Sequence, residues 1–379
     1  MELSTACIHG NQKKYDSMGS ISVPIFQTAT FAHPGVGQST GYDYSRLQNP
    51  TREHLEHTVA LLEGGHDAMA FATGMASIAA LMELFSPGDH IIASDDLYGG
   101  SYRLFANISV KNGISFDFVN TSEISNIEKR IRDNTRAVYI ETPSNPMMLV
   151  TDIAAVARLT KSRNLLLIVD NTFLTPYYQQ PLALGADIVT HSATKYLGGH
   201  NDLLAGFLVT ADPALSERLR FIFKSTGGCL APFDSWLLTR GLKTLAVRMD
   251  RQQENALRIA NWLREQKRVK AVHYVGLPDH PQYALSKRQA SGFGAMLSFE
   301  TDCEQTAIRI LERVSLIQYA ESLGGVESLI TYPMLQTHAD VPKEKREAQG
   351  INERLLRLSV GLEDAGDLIN DLDNALTEE

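Results

Sequence analysis

Residues 186–200 read ADIVTHSATKYLGGH, and this stretch decides how the rest of the chain is interpreted. Ile188 and Val189 predict a buried strand, and Ser192, Thr194 and Lys195 then fall at its carboxyl end. Open α/β sheets bind their ligands at that edge. A lysine between a buried strand and a Gly-Gly turn has limited access to water, and desolvation of this kind leaves part of an amine neutral. The stretch therefore predicts a lysine that attacks a carbonyl group and holds it as a Schiff base.

Two other interpretations of Lys195 stay open from this stretch alone. Most lysines that follow a strand are simply solvated. Ser192 and Lys195 also form a Ser-x-x-Lys pair, which is typical of the acyl-transfer chemistry of penicillin-recognising enzymes. That chemistry also requires Ser-Asp-Asn and Lys-Thr-Gly segments, and neither occurs in the sequence.

The composition is typical of a globular protein. The chain has 379 residues, enough for two domains, with 44% hydrophobic and 21% charged residues. A formal charge of -9 without long basic runs disfavours binding to nucleic acid. The 3 cysteines lie far apart, which indicates a reducing compartment and no zinc site. Because the sequence shows no signal peptide and no membrane-spanning apolar stretch, we expect a cytoplasmic protein without membrane or metal binding.

The pattern of strands and helices predicts three parts. Residues 1–47 lack a regular spacing of apolar residues and predict an extended arm. A helix that begins near Thr51 is predicted to follow it. Residues 48–246 alternate strands with helices, which is typical of an α/β domain with a parallel sheet. Residues 247–379 predict a smaller α+β domain. The predicted strands are 90–94, 115–119, 137–141, 165–170 and 187–191, then 269–275, 295–299 and 356–360.

Polar residues near several of these elements indicate the kind of ligand. Asp170 ends the apolar run LLLIVD and needs a cationic partner, and Asn145 follows another predicted strand. Gly74 lies at the amino end of a predicted helix, where free N–H groups favour an anion. The glycine-rich motifs that bind dinucleotides and nucleoside triphosphates are missing from the sequence. The ligand therefore needs an anionic group and a cationic group, without being either nucleotide.

Pyridoxal 5'-phosphate (PLP) has all the parts that these residues require. Its aldehyde suits Lys195, its ring nitrogen becomes a cation that suits Asp170, and its phosphate suits the helix at Gly74. Its flat ring suits Tyr98 in the segment DDLYGGSY. Arg357, on the polar face of a predicted strand, is either a solvated edge charge or a two-point contact for a substrate carboxylate.

Nine motifs of the sequence are specific when taken together, namely YDYSRLQNPTR, FATGMAS, DDLYGGSYRLF, ETPSNP, VDNTF, HSATKYLGGH, GFGAMLSF, AESLGGVESLI and RLSVGLED. Through these motifs the sequence, from about Gly19 to its C-terminus, resembles the trans-sulfuration family of PLP-dependent enzymes. That family includes cystathionine γ-lyase, γ-synthase and β-lyase, and methionine γ-lyase. The resemblance implies the fold of aspartate aminotransferase (fold type I), with a mostly parallel sheet in the large PLP-binding α/β domain and a smaller α+β C-terminal domain.

The resemblance also implies roles for the matching residues. Lys195 and Tyr98 would be catalytic, and Ser322 and Arg357 would bind the substrate carboxylate. Tyr44 and Arg46 would reach the phosphate of the neighbouring subunit, in a homotetramer built from dimers with shared active sites. The complete set of implied cofactor-binding residues is Tyr44, Arg46, Gly74, Met75, Tyr98, Asn145, Asp170, Ser192, Thr194 and Lys195.

The activity that the resemblance implies is that of a cystathionine γ-lyase, which converts L-cystathionine to L-cysteine, 2-oxobutanoate and ammonia. Methionine γ-lyases carry a cysteine at the place of Gly100, and enteric-type β-lyases have aromatics where this chain has Leu323 and Glu327. Glu327 would bind the second ammonium of cystathionine as a substrate-binding residue. γ-Synthase activity with an O-acyl-homoserine and cysteine, β-lyase activity, and an inactive relic that only binds PLP stay open as alternatives.

Overall fold

The structure, a computed structural model, describes residues 1–10, 19–339 and 341–377. Two sheets organise it, one of seven strands and one of five. The strands of the larger sheet are β1 (Asp67–Phe71), β2 (His90–Ser94), β3 (Ser115–Val119), β4 (Thr135–Glu141), β5 (Leu166–Asp170), β6 (Ile188–Ser192) and β7 (Gly206–Thr210). Their order is β1-β7-β6-β5-β4-β2-β3.

The larger sheet is mostly parallel. Strands β3, β2, β4, β5 and β6 pair in parallel, whereas β7 runs antiparallel to both β6 and β1. Glu141 pairs in register with Asp170, and Asp170 with Thr190, so the carboxyl ends of three adjacent strands meet at one edge. The predicted α/β fold is confirmed.

Helices cover both faces of this sheet. One apolar cluster includes Leu55, Val59 and Val189, and another on the opposite face includes Ile78, Leu81 and Ile188. Two further helical turns span Leu104–Ile108 and Ser109–Asn112. The helices of this part are α1 (Leu3–His9), α2 (Pro50–Glu63), α3 (Gly74–Met82), α4 (Gly99–Arg103), α5 (Ile124–Glu128), α6 (Ile153–Ser162), α7 (Thr175–Tyr178), α8 (Pro213–Thr226) and α9 (Pro232–Leu242).

The smaller sheet has the order β10-β11-β12-β9-β8 and is antiparallel except between β10 and β11. Leu356 and Leu358 join the same apolar cluster as Val189 of the larger sheet, so the two sheets share one core. The strands are β8 (Val269–His273), β9 (Met296–Thr301), β10 (Gln318–Tyr319), β11 (Leu329–Thr331) and β12 (Leu355–Ser359). The helices are α10 (Leu245–Arg264), α11 (Tyr283–Gln289), α12 (Glu304–Arg313), α13 (Lys343–Ala348) and α14 (Ala365–Leu376).

The amino-terminal part differs from the predicted extended arm. Residues 3–9 form helix α1, because Ala6 and Cys7 lie on a face that is buried in the large apolar cluster. Part of the predicted arm, residues 11–18, lies outside the described residues. Helix α2 begins one residue before the predicted Thr51, since the Asn49 side chain caps it by accepting the Thr51 backbone N–H at 3.0 Å. No helix in the described ranges is long and apolar enough to cross a membrane.

Candidate active site

A cavity of about 290 Å³ lies at the carboxyl edge of the larger sheet. Strands β4, β5 and β6 bring Glu141, Asp170 and Ser192 to its wall. This edge is where an open α/β sheet binds its ligand. Most of the predicted cofactor-binding residues line the cavity together, namely Gly74, Met75, Tyr98, Asn145, Asp170, Ser192, Thr194 and Lys195.

Lys195 follows β6 and reaches towards the smaller sheet. Its Nζ donates a hydrogen bond of 2.7 Å to Oγ of Ser322. The backbone φ of Ser322 is 99°, a value that residues other than glycine rarely adopt. Burial and the Arg357 cation lower the pKa of Lys195 to about 8, while the negative charge of Glu321 opposes the shift. Lys195 therefore has a larger neutral fraction at neutral pH than an ordinary lysine, as a nucleophile or base requires.

This lowered pKa predicts how the cofactor-free protein reacts with acetic anhydride. Because only the neutral amine is acylated, the labelling rate of Lys195 will rise with pH and reach half its maximum at about pH 8. The measurement is the mass of the peptide that contains residue 195 after brief labelling at each pH, with the other lysine peptides as internal reference. A midpoint close to the ordinary lysine value would contradict the prediction.

Asp170 faces the cavity as a buried carboxyl group. Its Oδ1 accepts the Thr172 N–H at 3.0 Å, and its Oδ2 accepts the Tyr139 hydroxyl at 3.3 Å. Burial raises the pKa of Asp170, whereas these hydrogen bonds and the charge of His191 act in the opposite direction. A cationic ring nitrogen in the cavity would supply the opposite charge that a buried carboxylate requires.

Glu141 is a cavity residue that the sequence analysis missed. It ends β4 beside Asp170, and its Oε2 accepts the Tyr98 backbone N–H at 2.9 Å. Burial and the Asp170 charge hold the pKa of Glu141 well above its usual range. The two adjacent acids therefore both lie at the cavity with a raised pKa, and each charge disfavours ionisation of the other. The sequence carried a signal for it, since Glu141 ends the apolar run AVYIE as Asp170 ends LLLIVD.

Helix α3 provides an anion-binding end of the cavity. Its N-cap, Thr73, accepts the Ala76 N–H at 2.9 Å, and the first residues of the helix line the cavity together with Ser192 and Thr194. The first N–H groups of a helix have no acceptor within the helix. A Cβ at Gly74 would lie 3.0 Å from the Ser192 side chain, so glycine allows this close approach. N–H groups and hydroxyls in this arrangement fit a phosphate, and with Lys195 and Asp170 the cavity fits PLP.

Arg357 lies on β12 and connects the smaller sheet to the cavity. Its Nη1 donates to Asn145 Oδ1 at 2.9 Å, and its Nη2 donates to the Ser322 carbonyl at 3.1 Å. Its buried Nε has no hydrogen-bond partner among the described residues. Burial lowers the pKa of Arg357 to about 10. A buried guanidinium with unused hydrogen-bonding capacity suits a carboxylate ligand.

The structure does not bring every predicted residue to this cavity. Tyr44 is 44% exposed, and the guanidinium of Arg46 lies 5.6 Å from the Tyr44 ring centroid and donates to the Lys224 carbonyl. Neither residue is among those that line the cavity of its own chain.

The role of Glu327 in binding the substrate stays a prediction. Its carboxylate accepts a hydrogen bond of 2.7 Å from Asn201, and it does not line the cavity as described. The acid whose charge acts on both Lys195 and Arg357 is Glu321, directly before Ser322. The chain turns between the two glutamates at Gly324, whose φ is 77°. The motif AESLGGVES contains both acids, and neither is among the described residues that line the cavity.

Comparison with known proteins shows the family. Residues 4–377 match the family described as Cys/Met metabolism PLP-dependent enzyme. The chain belongs to this family. It is 50% identical over 376 residues to the cystathionine gamma-lyase of Bacillus subtilis, covering 99% of both proteins. It is 48% identical over 374 residues to the cystathionine beta-lyase of Lactococcus lactis subsp. cremoris, covering 99% of this chain and 98% of the relative.

A solved structure adds the third activity of the family. The cystathionine gamma-synthase of Xanthomonas oryzae pv. oryzae, solved in complex with aminoacrylate and cysteine, superimposes with a TM-score of 0.97 at 39% identity, covering 99% of this chain and 98% of that one. The predicted fold type I, the PLP cofactor and the assignment as an enzyme of Cys/Met metabolism are thus confirmed. Two lyases and a synthase of the family are all similar to the chain. Family membership therefore establishes PLP-dependent chemistry on sulfur amino acids, and the choice among the three reactions needs further evidence.

Proposed function

We propose that the protein is a cystathionine γ-lyase, which eliminates the sulfur group from the γ-carbon of L-cystathionine to give L-cysteine, 2-oxobutanoate and ammonia. The observation that carries cystathionine as the substrate is Glu321, which directly precedes Ser322, the hydrogen-bond partner of Lys195, and whose charge opposes the lowering of the pKa of Lys195 and Arg357. The choice of γ-elimination is supported by the 50% identity to the cystathionine gamma-lyase of Bacillus subtilis. Cystathionine has a second ammonium group at its distal end, and an acid beside the cavity is its natural partner. Leu323, an aliphatic side chain, lines the cavity beside it.

Each of four residues has a separate role in the proposed reaction. When bound, PLP supplies a ring that takes up the negative charge left at the substrate α-carbon. Arg357 binds the substrate carboxylate through its guanidinium, and Asp170 supplies the negative charge beside the ring nitrogen. Lys195, partly neutral, removes the α-proton, would release it to the carbon of the PLP aldehyde group, and is then neutral again to remove the β-proton that γ-elimination also requires. Tyr98 lines the cavity, with its backbone N–H bound by Glu141, and its hydroxyl delivers a proton to the departing thiol.

The products of the reaction test the proposal directly. Pure holoenzyme is incubated with L-cystathionine, and the keto acid is identified by mass spectrometry. 2-Oxobutanoate as the main product supports γ-elimination, whereas pyruvate identifies a β-lyase. A parallel incubation of an O-acyl-homoserine with cysteine yields cystathionine only if the protein acts as a γ-synthase. No keto acid and no cystathionine in any incubation would identify an inactive PLP-binding protein.

Two glutamates of one motif provide a matched test of substrate recognition. Glu321→Gln will raise KM for L-cystathionine about fivefold, because an exposed charge pair is worth up to about 1 kcal/mol. Glu327→Gln, which retains a side chain able to bond Asn201, will leave KM unchanged. An S-alkyl homocysteine lacks the distal ammonium, so its KM will be the same in both variants. A larger effect of Glu327→Gln on cystathionine would return the distal site to Glu327.

We also propose a homotetramer of dimers with shared active sites, in a chain divided into residues 1–47, the PLP-binding domain 48–246 and the C-terminal domain 247–379, with Tyr44 and Arg46 of the first part as the intersubunit contacts. Tyr44 and Arg46 lie away from the cavity of their own chain and are free to contact another subunit. Mixing Lys195→Ala with Arg46→Ala subunits will recover activity, since one site of each mixed dimer is intact. No recovery of activity after verified subunit exchange would contradict the sharing of active sites between subunits.

The cytoplasm stays the predicted location. The three cysteines form no disulfide, as expected in a reducing compartment.

A further inference from the structure

The turn formed by residues 321–325 packs against the loop that carries Lys195. It contains Ser322 and Gly324, and the φ of Gly324 is 77°. A Cβ at Gly324 would lie 2.7 Å from the backbone nitrogen of Tyr196, the residue directly after Lys195. Only glycine allows so close an approach. The position of the Ser322 hydroxyl relative to the Lys195 amine therefore depends on how the rest of the protein holds this turn.

Gln252 of helix α10 fixes the end of the turn. Its side chain is buried, and its Nε2 donates to the carbonyl of Gly325 at 2.7 Å and to the carbonyl of Val360 at 3.1 Å. Val360 directly follows β12, the strand of Arg357. One amide group thus ties the turn to the strand that carries the guanidinium of the active site.

A second hydrogen bond fixes the turn to the same strand. Oγ of Ser359, the last residue of β12, accepts the backbone N–H of Gly324 at 2.8 Å. Ser359 is also buried, so movement of the turn would leave backbone groups without partners away from water. The φ of 99° at Ser322 is a strained value that persists only where the surroundings hold it. These two bonds supply that support.

The stability of the fold does not by itself explain the Gln252 amide. Its Oε1 is buried and has no hydrogen-bond partner among the described residues. A buried oxygen without a partner costs stability. The side chain therefore contributes through its N–H groups, which bind carbonyls next to the segments that carry Ser322 and Arg357.

We propose that Gln252 and Ser359 are positioning residues: they hold the 321–325 turn so that the Ser322 hydroxyl stays in hydrogen-bond contact with the Lys195 amine. That contact is 2.7 Å long, and a displacement of about 1 Å is enough to break it. The proposal rests on the proposed function, in which Lys195 is the nucleophile and base. The chemistry proposed above uses neither Gln252 nor Ser359.

Two neutral substitutions in α10 provide a matched test. Gln252→Met removes both hydrogen bonds of the amide and keeps a side chain of similar length. Asn255→Leu is the control, because Asn255 is buried further along α10 and its Nδ2 donates to the carbonyls of Gly361 at 3.1 Å and Glu363 at 2.8 Å, outside the turn. Each substitution removes two hydrogen bonds to backbone carbonyls, and neither changes a charge. A loss of stability alone would therefore affect both variants.

The first measurement is the acetic anhydride labelling of Lys195 in the cofactor-free protein. A hydrogen bond from an ammonium is stronger than one from a neutral amine, so loss of the Ser322 acceptor favours the neutral form. In Gln252→Met and Ser359→Ala, as in Ser322→Ala, the labelling midpoint will therefore fall by about half a pH unit. In Asn255→Leu the midpoint will stay unchanged. The charged groups that act on Lys195 are present in every variant.

The second measurement is kcat of the holoenzyme with L-cystathionine. Gln252→Met will lower kcat by up to about tenfold, as Ser322→Ala does. In the Ser322→Ala background it will cause no further fall, because both changes break the same hydrogen bond. Asn255→Leu will leave kcat unchanged. An equal fall in both backgrounds would show that Gln252 does not act through Ser322 and would contradict the proposal.

The outcomes separate positioning from the proposed reaction. If Ser322→Ala moves the labelling midpoint but Gln252→Met and Ser359→Ala do not, or if Ser322→Ala itself does not move it, the proposal is wrong. A shift of equal size in Asn255→Leu would show a general loosening of the fold and would also overturn it. If the midpoints move as expected but L-cystathionine is not turned over, the proposed function fails and the positioning stands. If Gln252→Met does not fold, Ser359→Ala alone decides.

Discussion

Replacement of Lys195 by alanine will lower kcat for L-cystathionine by about 10²–10⁴-fold, the range that a general base contributes. The variant loses the amine that burial and Arg357 keep partly neutral, and no other amine lines the cavity among the described residues. It will also lose the covalent attachment of the cofactor. Borohydride treatment of wild-type holoenzyme will add the mass of reduced PLP to the peptide that contains residue 195.

Ser322→Ala is the control for this change. It removes the oxygen that accepts the 2.7 Å hydrogen bond from Lys195, while the amine itself stays in place. Its kcat will fall about tenfold or less, in line with the loss of one hydrogen bond of about 1 kcal/mol. Turnover of Lys195→Ala within tenfold of the wild type would show that another group removes the α-proton.

The second large effect is expected for Asp170→Asn. Replacing the carboxylate by an amide removes the negative charge beside the ring nitrogen, and turnover will fall about 10²–10³-fold, as when a preorganised electrostatic partner is lost. Asp170→Glu keeps the charge but displaces it, so it will retain more activity than Asp170→Asn. Equal activity of Asp170→Asn and wild type would contradict the assignment.

Asp170→Asn will make the cofactor-free protein more stable, although it lowers turnover. Burial raises the pKa of Asp170 in the folded state, so its contribution to stability is present at low pH and is lost as pH rises through the folded pKa. The buried carboxylate therefore makes the cofactor-free fold less stable as pH rises through the folded pKa. Asp170→Asn will raise the thermal midpoint without PLP and will reduce the further rise that PLP produces in the wild type. Calorimetry with and without PLP measures both changes.

Much of the active site could be predicted because its residues occupy ends of strands. Lys195, Asp170 and Asn145 each follow an apolar run, and parallel strands carry such residues to one edge whatever the length of the intervening helices. Gly74 was predicted on the same kind of local signal, since a helix begins there. Local sequence determines these features, so long-range contacts were not needed to find them.

Other features depend on contacts between distant parts of the chain. Strands β1 and β7 were missed because their sequences, DAMAF and GFLVT, are short apolar runs. The two segments pair with each other across a long sequence separation, and their sequences do not show this pairing. Helix α1 was taken as part of an extended arm because burial of Ala6 and Cys7, not propensity, defines its apolar face. Glu321 was missed because the motif AESLGGVES does not show which of its two glutamates acts on Lys195.

The hydrogen bond between Arg357 and Asn145 has a practical consequence for protein engineering. It joins β12 of the smaller sheet to the loop after β4 of the larger one, at 2.9 Å. In a chimaera that takes its carboxyl-terminal third from another relative, the residues around position 357 come from that relative, whereas Asn145 comes from this chain. Swaps that conserve this cross-sheet pairing should yield hybrids with altered substrate preference, whereas swaps that break it should yield folded hybrids that bind PLP and turn over poorly.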